Sequence, residues 1–160
     1  MVNEIAKHPN FAGMKECGGH ERIKLYADKG IKCWSGNDDE AHESRFKYGG
    51  HGVISVASNL LPAAMRRLMD EEDPELNAKM QPLMKWLFLH PNPIGLNTAF
   101  AMTGAAQPVF RAPYWPYDED MRNELIEILD QFDEDEICGG KPKALTDGQF
   151  TVLGDWARGV

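Results

Sequence analysis

The sequence predicts an α/β chain in which three parallel strands, joined by helices, lead into a purely helical region. Three observations point there. Short apolar runs ending at glycine turns recur near residues 11–17, 31–35 and 52–56. Helical stretches separate them, so each unit is about twenty residues long, the spacing of right-handed βαβ connections. After Val56 only helical periodicity remains.

The run from Asn10 to Cys17 stops at Gly18-Gly19, and an apolar run bounded by turn signals reads as a buried strand. Lys15 lies near its end. A lysine there is expected to have lost part of its water, which favours the neutral amine. A neutral amine can condense with a carbonyl to form a Schiff base. A lysine that snorkels to solvent would leave the same sequence trace. A helix follows from about His20 to Asp28, with Ile23, Tyr26 and Ala27 at helical spacing. The second strand, Ile31 to Ser35, runs into Gly36. A second helix spans about Asp38 to Tyr48, and the turn Gly49-Gly50-His51 opens a third strand, Gly52 to Val56.

In the helical region, Asn59 is placed to cap a helix with Pro62 in its first turn, running through Met69. Pro74 begins a longer helix whose Leu76, Met80, Leu83, Met84 and Leu87 form one apolar stripe, read as ordinary core. Pro82 should kink it. Asn92 as N-cap and Pro93 as first residue start a helix to about Met102. Asp118 caps another, with Met121, Leu125, Ile128 and Leu129 on its apolar face. The charge run 133–136 and Gly139-Gly140 read as a solvated linker, and Phe150 to Leu153 as an edge strand or a loose tail. The expected organisation is therefore residues 1–58 for the strand units, 59–132 for helices, and 133–160 for linker and tail.

Composition narrows the function. With 160 residues, 42% of them apolar, the chain can bury a real core. A net charge of −8 leaves no basic stripe for nucleic acid or an anionic membrane. No apolar run approaches the roughly 20 residues needed to cross a bilayer, and the N-terminus carries neither a secretory nor a transit signature. Cys17, Cys33 and Cys138 are odd in number and widely spaced, so they read as free thiols rather than a disulfide framework. Five scattered histidines offer no metal-ligand spacing.

Three parallel strands with helices on one side leave a face and two edges uncovered. A closed (β/α)8 barrel takes eight strands and roughly 250 residues. Either the chain is part of a larger barrel, or it hides its open side against a partner.

Four motifs occur in order: Met14-Lys15-Glu16-Cys17; Ser35-Gly36-Asn37-Asp38-Asp39; Gly52-Val53-Ile54-Ser55-Val56-Ala57-Ser58-Asn59; and Pro91-Asn92-Pro93-Ile94. Together they resemble the C-terminal half of the dihydrodipicolinate synthase (4-hydroxy-tetrahydrodipicolinate synthase) family, with Trp34 to Asp39, Asn92 to Ala99 and the tail Leu145 to Leu153 closest to its plant branch. The resemblance implies an α/β fold made of the last three strands of a (β/α)8 TIM barrel followed by a C-terminal helical region. It implies a pyruvate-dependent class I aldolase-type lyase of lysine (diaminopimelate) biosynthesis, with no cofactor beyond the covalent lysine–pyruvate imine.

By position in the motif, the resemblance implies that Lys15 forms the imine with pyruvate, at the mouth where barrel sites lie. Ile54 would offer its main-chain carbonyl beside pyruvate, and Gly36 would leave room for ligand by lacking a side chain. Asn37-Asp38-Asp39 matches an acidic loop, which helix capping by Asn37 or Asp38 explains as well as substrate contact does. Glu16 faces the other side of the strand by alternation and reads as structural. The implied partners are pyruvate and aspartate semialdehyde, with a homo-oligomer or a complementing N-terminal half, in the plastid or alternatively the cytoplasm.

The family's carboxylate-binding threonines, proton-relay tyrosines, aldehyde-binding arginine and lysine-feedback site precede the strand of Lys15 and have no counterpart here. The chain is therefore expected to be a fragment or one half of a split barrel, with little synthase activity alone. Two alternatives stand beside this: another pyruvate aldolase such as N-acetylneuraminate lyase, whose pattern fits Gly52 to Asn59 less well, and a non-catalytic half-barrel that assembles with a full-length homologue.

Overall fold

The structure is a computed structural model that describes residues 1–154. Two compact units emerge: Met1–Ser55 with Arg66–Asn77, and Val56–Met65 with the chain from Ala78 onward.

The first unit begins with a short helix, α1 (Val2–Ile5), followed by β1 (Met14–Glu16), α2 (His20–Ala27), β2 (Cys33–Ser35), α3 (Asp38–Lys47) and β3 (Gly52–Val53). The strands lie parallel in the order β1-β2-β3. Lys15 pairs with Trp34 and Glu16 with Ser35, while Trp34 and Ser35 pair in turn with Gly52 and Val53. β3 is shorter than the sequence predicted. Its ladder extends to Ile54, whose N–H donates to the Ser35 carbonyl at 2.8 Å, but Ser55 and Val56 turn away into a 3-10 turn at Ala57–Asn59.

Alternation decides what each strand residue meets. Cys33 and Ser35 are fully buried and Glu16 nearly so. Ile23, Tyr26 and Cys33 form a small core, against which Val2, Met14 and Ile31 pack. The opposite face carries Lys15, exposed, and Trp34, half-buried. The buried side chains thus share one face of the sheet.

The helices α4 (Pro62–Asp70), α5 (Pro74–Trp86), α6 (Ile94–Thr103) and α7 (Glu119–Asp130) follow. Asn59 lies in the 3-10 turn that precedes α4, and one predicted start shifts: Pro93, with φ −104° and ψ 25°, is the N-cap of α6 rather than its first residue. Pro82 lies within α5, which runs through it to Trp86. The stripe of α5 is core: Leu76, Met80, Leu83, Met84 and Leu87 are all buried. Asp118 does cap α7, its carboxylate accepting from the Met121 N–H at 2.9 Å.

In the second unit a buried polar knot ties α5, α6 and α7 together. Trp86 Nε1 donates to the Met121 carbonyl at 2.8 Å, and the Tyr117 hydroxyl donates to the Trp86 carbonyl at 3.1 Å. Burial raises the Tyr117 pKa, keeping the hydroxyl a donor. Gly95 is dictated by close approach, because a Cβ there would fall 2.6 Å from the Leu87 carbonyl oxygen.

The segment after α7 is docked rather than a solvated linker. Ile137 is buried, and the Cys138 N–H donates to the Leu60 carbonyl at 2.9 Å. Lys141 Nζ donates to the carbonyls of Leu129, Asp130 and Phe132 at 3.1, 2.9 and 2.6 Å. These include orphan acceptors at the end of α7. The edge-strand reading of the tail holds: β5 (Thr151–Leu153) pairs in parallel with β4 (Val109–Arg111), a strand the sequence reading missed.

Candidate active site

Lys15, Gly36 and Ile54 lie at the carboxyl ends of β1, β2 and β3. Two of the three come into direct contact. A Cβ built on Gly36 would stand 2.3 Å from Lys15 Cε and 2.3 Å from Cys17 Sγ. The absent side chain at position 36 therefore makes room for the protein's own lysine and cysteine, a use that sequence reasoning assigned to ligand alone. Ile54 sits one strand further on, its side chain 51% exposed. Among the described residues no hydrogen bond links it to Lys15.

Lys15 is exposed, which corrects the expectation of a partly desolvated amine. The apolar run before it does pack, but against helices on the other face. Lys15 stands on the sheet face opposite the core of Ile23, Tyr26 and Cys33.

The strand end that carries Lys15 is held rigidly. Glu16 Oε1 accepts from the Gly18 N–H at 2.7 Å, and Oε2 meets Arg22 Nε at 2.9 Å. That hydrogen bond and the opposite charge raise the Arg22 pKa further above its ordinary value. Burial, then the nearby Glu16 charge, pushes the Cys33 thiol up. Glu16 is a structural clamp on the helix side of β1, as alternation requires.

Asn37 completes the frame. It occupies the N-cap position of α3, yet its side chain does not cap. Its amide instead donates to the Cys17 carbonyl at 3.2 Å and to Glu40 Oε2 at 3.0 Å, tying the end of β1 to the start of α3. Ser35 Oγ donates to the Asn37 carbonyl and accepts from its N–H. Asp38 is buried. Sequence reasoning also missed Trp34, whose ring fills the space beside two glycines. A Cβ on Gly13 would fall 2.4 Å from it and one on Gly52 3.2 Å.

A concavity of about 600 Å³ lies before β1 and β2, lined by Lys7, Phe11, Lys29 and Lys32 among others. It is at the opposite end of the strands from Lys15. Among the described residues no group of three His, Cys, Asp or Glu is arranged for a metal, and no helix is long and apolar enough to cross a membrane.

Residues 1–132 match the model of the dihydrodipicolinate synthetase family. The chain belongs to that family. It is 52% identical over 155 residues to 4-hydroxy-tetrahydrodipicolinate synthase 2, chloroplastic, of Triticum aestivum, covering 96% of this chain and 41% of the wheat protein. The Arabidopsis thaliana synthase 1, also chloroplastic, is 46% identical over 156 residues, covering 96% of this chain and 43% of its own. Among solved structures, the chloride-inhibited dihydrodipicolinate synthase of Acinetobacter baumannii, complexed with pyruvate, aligns with TM-score 0.71 and 30% identity over 79% of this chain and 47% of that one. The Aquifex aeolicus dihydrodipicolinate synthase gives TM-score 0.72 at 27% identity, over 82% and 48%. The chain spans less than half the length of the curated relatives it matches.

Proposed function

We propose that this chain carries the imine-forming part of a 4-hydroxy-tetrahydrodipicolinate synthase, a lyase of lysine biosynthesis, built as the last three strands and the helical extension of a (β/α)8 barrel. The observation that carries this reading is the placement of Lys15. Its stem lies in the gap left by Gly36 at the carboxyl end of the strands, on the sheet face opposite the core of Ile23, Tyr26 and Cys33. Barrel enzymes act at that end.

The chemistry follows from an amine held on a fixed strand. Neutral Lys15 attacks the ketone carbon of pyruvate, water leaves, and a protonated imine forms. The imine nitrogen withdraws electrons, so a methyl proton is lost and an enamine results. The enamine carbon then adds to the aldehyde of aspartate semialdehyde. Ring closure by the substrate amine expels Lys15, which is free for the next cycle. The covalent imine serves where other enzymes hold a cofactor, splitting one hard C–C bond formation into easier steps. Ile54 contributes its main-chain carbonyl beside the bound keto acid.

The groups that grip the pyruvate carboxylate and relay protons come, in this reading, from strands outside this chain's three. The remaining strands of the barrel supply them. The plant relatives are chloroplastic, which supports a plastid location.

Borohydride reduction in the presence of pyruvate tests the reading. The purified chain should gain one reduced pyruvate adduct on Lys15, and Lys15→Ala should lose it entirely with helical content unchanged. An adduct that survives in Lys15→Ala would overturn the assignment. N-acetylneuraminate as donor should give no pyruvate adduct beyond background.

A further inference from the structure

We propose that Cys17 is an oxidation site directed at Lys15, and that a peroxide joins the two side chains through a sulfur–nitrogen bond, withdrawing the amine from chemistry. The consequence for activity rests on the reading of Lys15 as the imine former. The bond itself does not.

The geometry is a convergence of two nucleophiles. Lys15 is the middle residue of β1 and Cys17 the first residue after it, two positions apart. Side chains at this spacing would ordinarily stand apart. Here both lean into the space above Gly36, each within 2.3 Å of one point, so Cys17 Sγ lies within twice that distance of Lys15 Cε. The amine is one rotatable bond beyond. The Cys17 thiol is exposed, and Asn37 anchors its backbone through the carbonyl. The other cysteine of the first unit, Cys33, is fully buried. Exposure beside a group able to resolve the first oxidation product is the usual setting of a redox-sensitive cysteine. The resolving group here is an amine.

The steps balance. The Cys17 sulfur attacks hydrogen peroxide, an S–O bond forms, the O–O bond breaks, and the thiol becomes a sulfenic acid with release of one water. The neutral Lys15 amine then attacks that sulfur. The S–N bond forms, the S–O bond breaks, and hydroxyl leaves with an amine proton as a second water. Sulfur has given up two electrons to the peroxide. A thiol reductant reverses the change: one thiol attacks sulfur and frees the amine, and a second resolves the mixed disulfide.

The test uses the full 160-residue chain carrying Cys138→Ser. After treatment with hydrogen peroxide and proteolysis, the peptide holding Lys15 and Cys17 should be lighter by about 2 Da, resist trypsin after Lys15, and revert with dithiothreitol. The shift should vanish in Cys17→Ser and in Lys15→Arg. A shift that persists in Lys15→Arg would assign the bond to a backbone nitrogen and overturn the proposal, as would a Cys17 found only as sulfinic acid. Without any variant, o-phthalaldehyde should staple the pair as a fluorescent isoindole mapped to Lys15 and Cys17; its absence there would refute their proximity. Pyruvate trapping should fall in proportion to the lighter peptide and recover with reductant. An S–N bond in a chain that never traps pyruvate would sink the imine reading and leave the pair standing. Trapping without the bond would do the reverse.

Discussion

Two lysines, one in each unit, are placed in opposite ways. Lys141 is spent on structure: three carbonyls near the end of α7 surround its ammonium. Lys15 stands at the end of β1 with its stem over Gly36, and among the described residues no hydrogen bond or ion pair holds its nitrogen. The contrast extends to the units. The second encloses Trp86 and Tyr117 and satisfies their polar atoms with backbone partners. The first puts its clamps, Glu16 and Asn37, around the strand end and leaves Lys15 exposed there. Stability and reactivity are assigned to different places, and a nucleophile survives where the fold does not use it.

Core truncation is the strongest way to break this contrast. Leu83→Ala should lower the unfolding free energy by about 2–5 kcal/mol while leaving pyruvate trapping unchanged below the melting point. A parallel loss of trapping would tie the chemistry to the helical unit. Gly36→Ala does the opposite. The new methyl would displace the ends of two flexible side chains, so chemical denaturation should shift little, whereas trapping should slow by about ten- to a hundredfold. Equal trapping rates would remove Gly36 from the site.

Lys141→Met keeps the apolar stem and deletes the donor. It should destabilise by about 1–2 kcal/mol, a charged hydrogen-bond contribution discounted for partial exposure, as read from urea midpoints. The smallest effect is a pH slope. His42 is buried, burial lowers its pKa from 6.5, and its Nε2 accepts from the Asp73 N–H at 3.1 Å. As the pH falls, the unfolded chain takes up this proton first. The contribution is therefore full above about 6.5 and is lost on acidification below it. His42→Gln, which keeps an acceptor but does not titrate, should flatten the fall in melting temperature between pH 7 and 5. An unchanged slope would move the acid sensitivity elsewhere.

Local signals were legible. The glycine turns placed three strands, Asp118 announced α7, and the stripe from Leu76 to Leu87 marked a buried face, because each of these depends on residues a few positions apart. What failed depends on distant partners. The exposure of Lys15 follows from which sheet face the helices cover, which no short window records. β4 is three residues between Pro108 and Pro113, too short for a period, and exists because β5 pairs with it. The docking of 137–141 relies on carbonyls of α7 and on Leu60. The role of Gly36 was half-read: the motif marked the position, but only the folded structure identifies the occupants of the gap as Lys15 and Cys17.

The strand count has an arithmetic consequence for assembly. A sheet of three has an outer rim at β1 and another at β3, and doubling the molecule would bring six strands, not the eight of a closed cylinder. If the cylinder closes at eight, five further staves complete it, and they must dock on both rims at once.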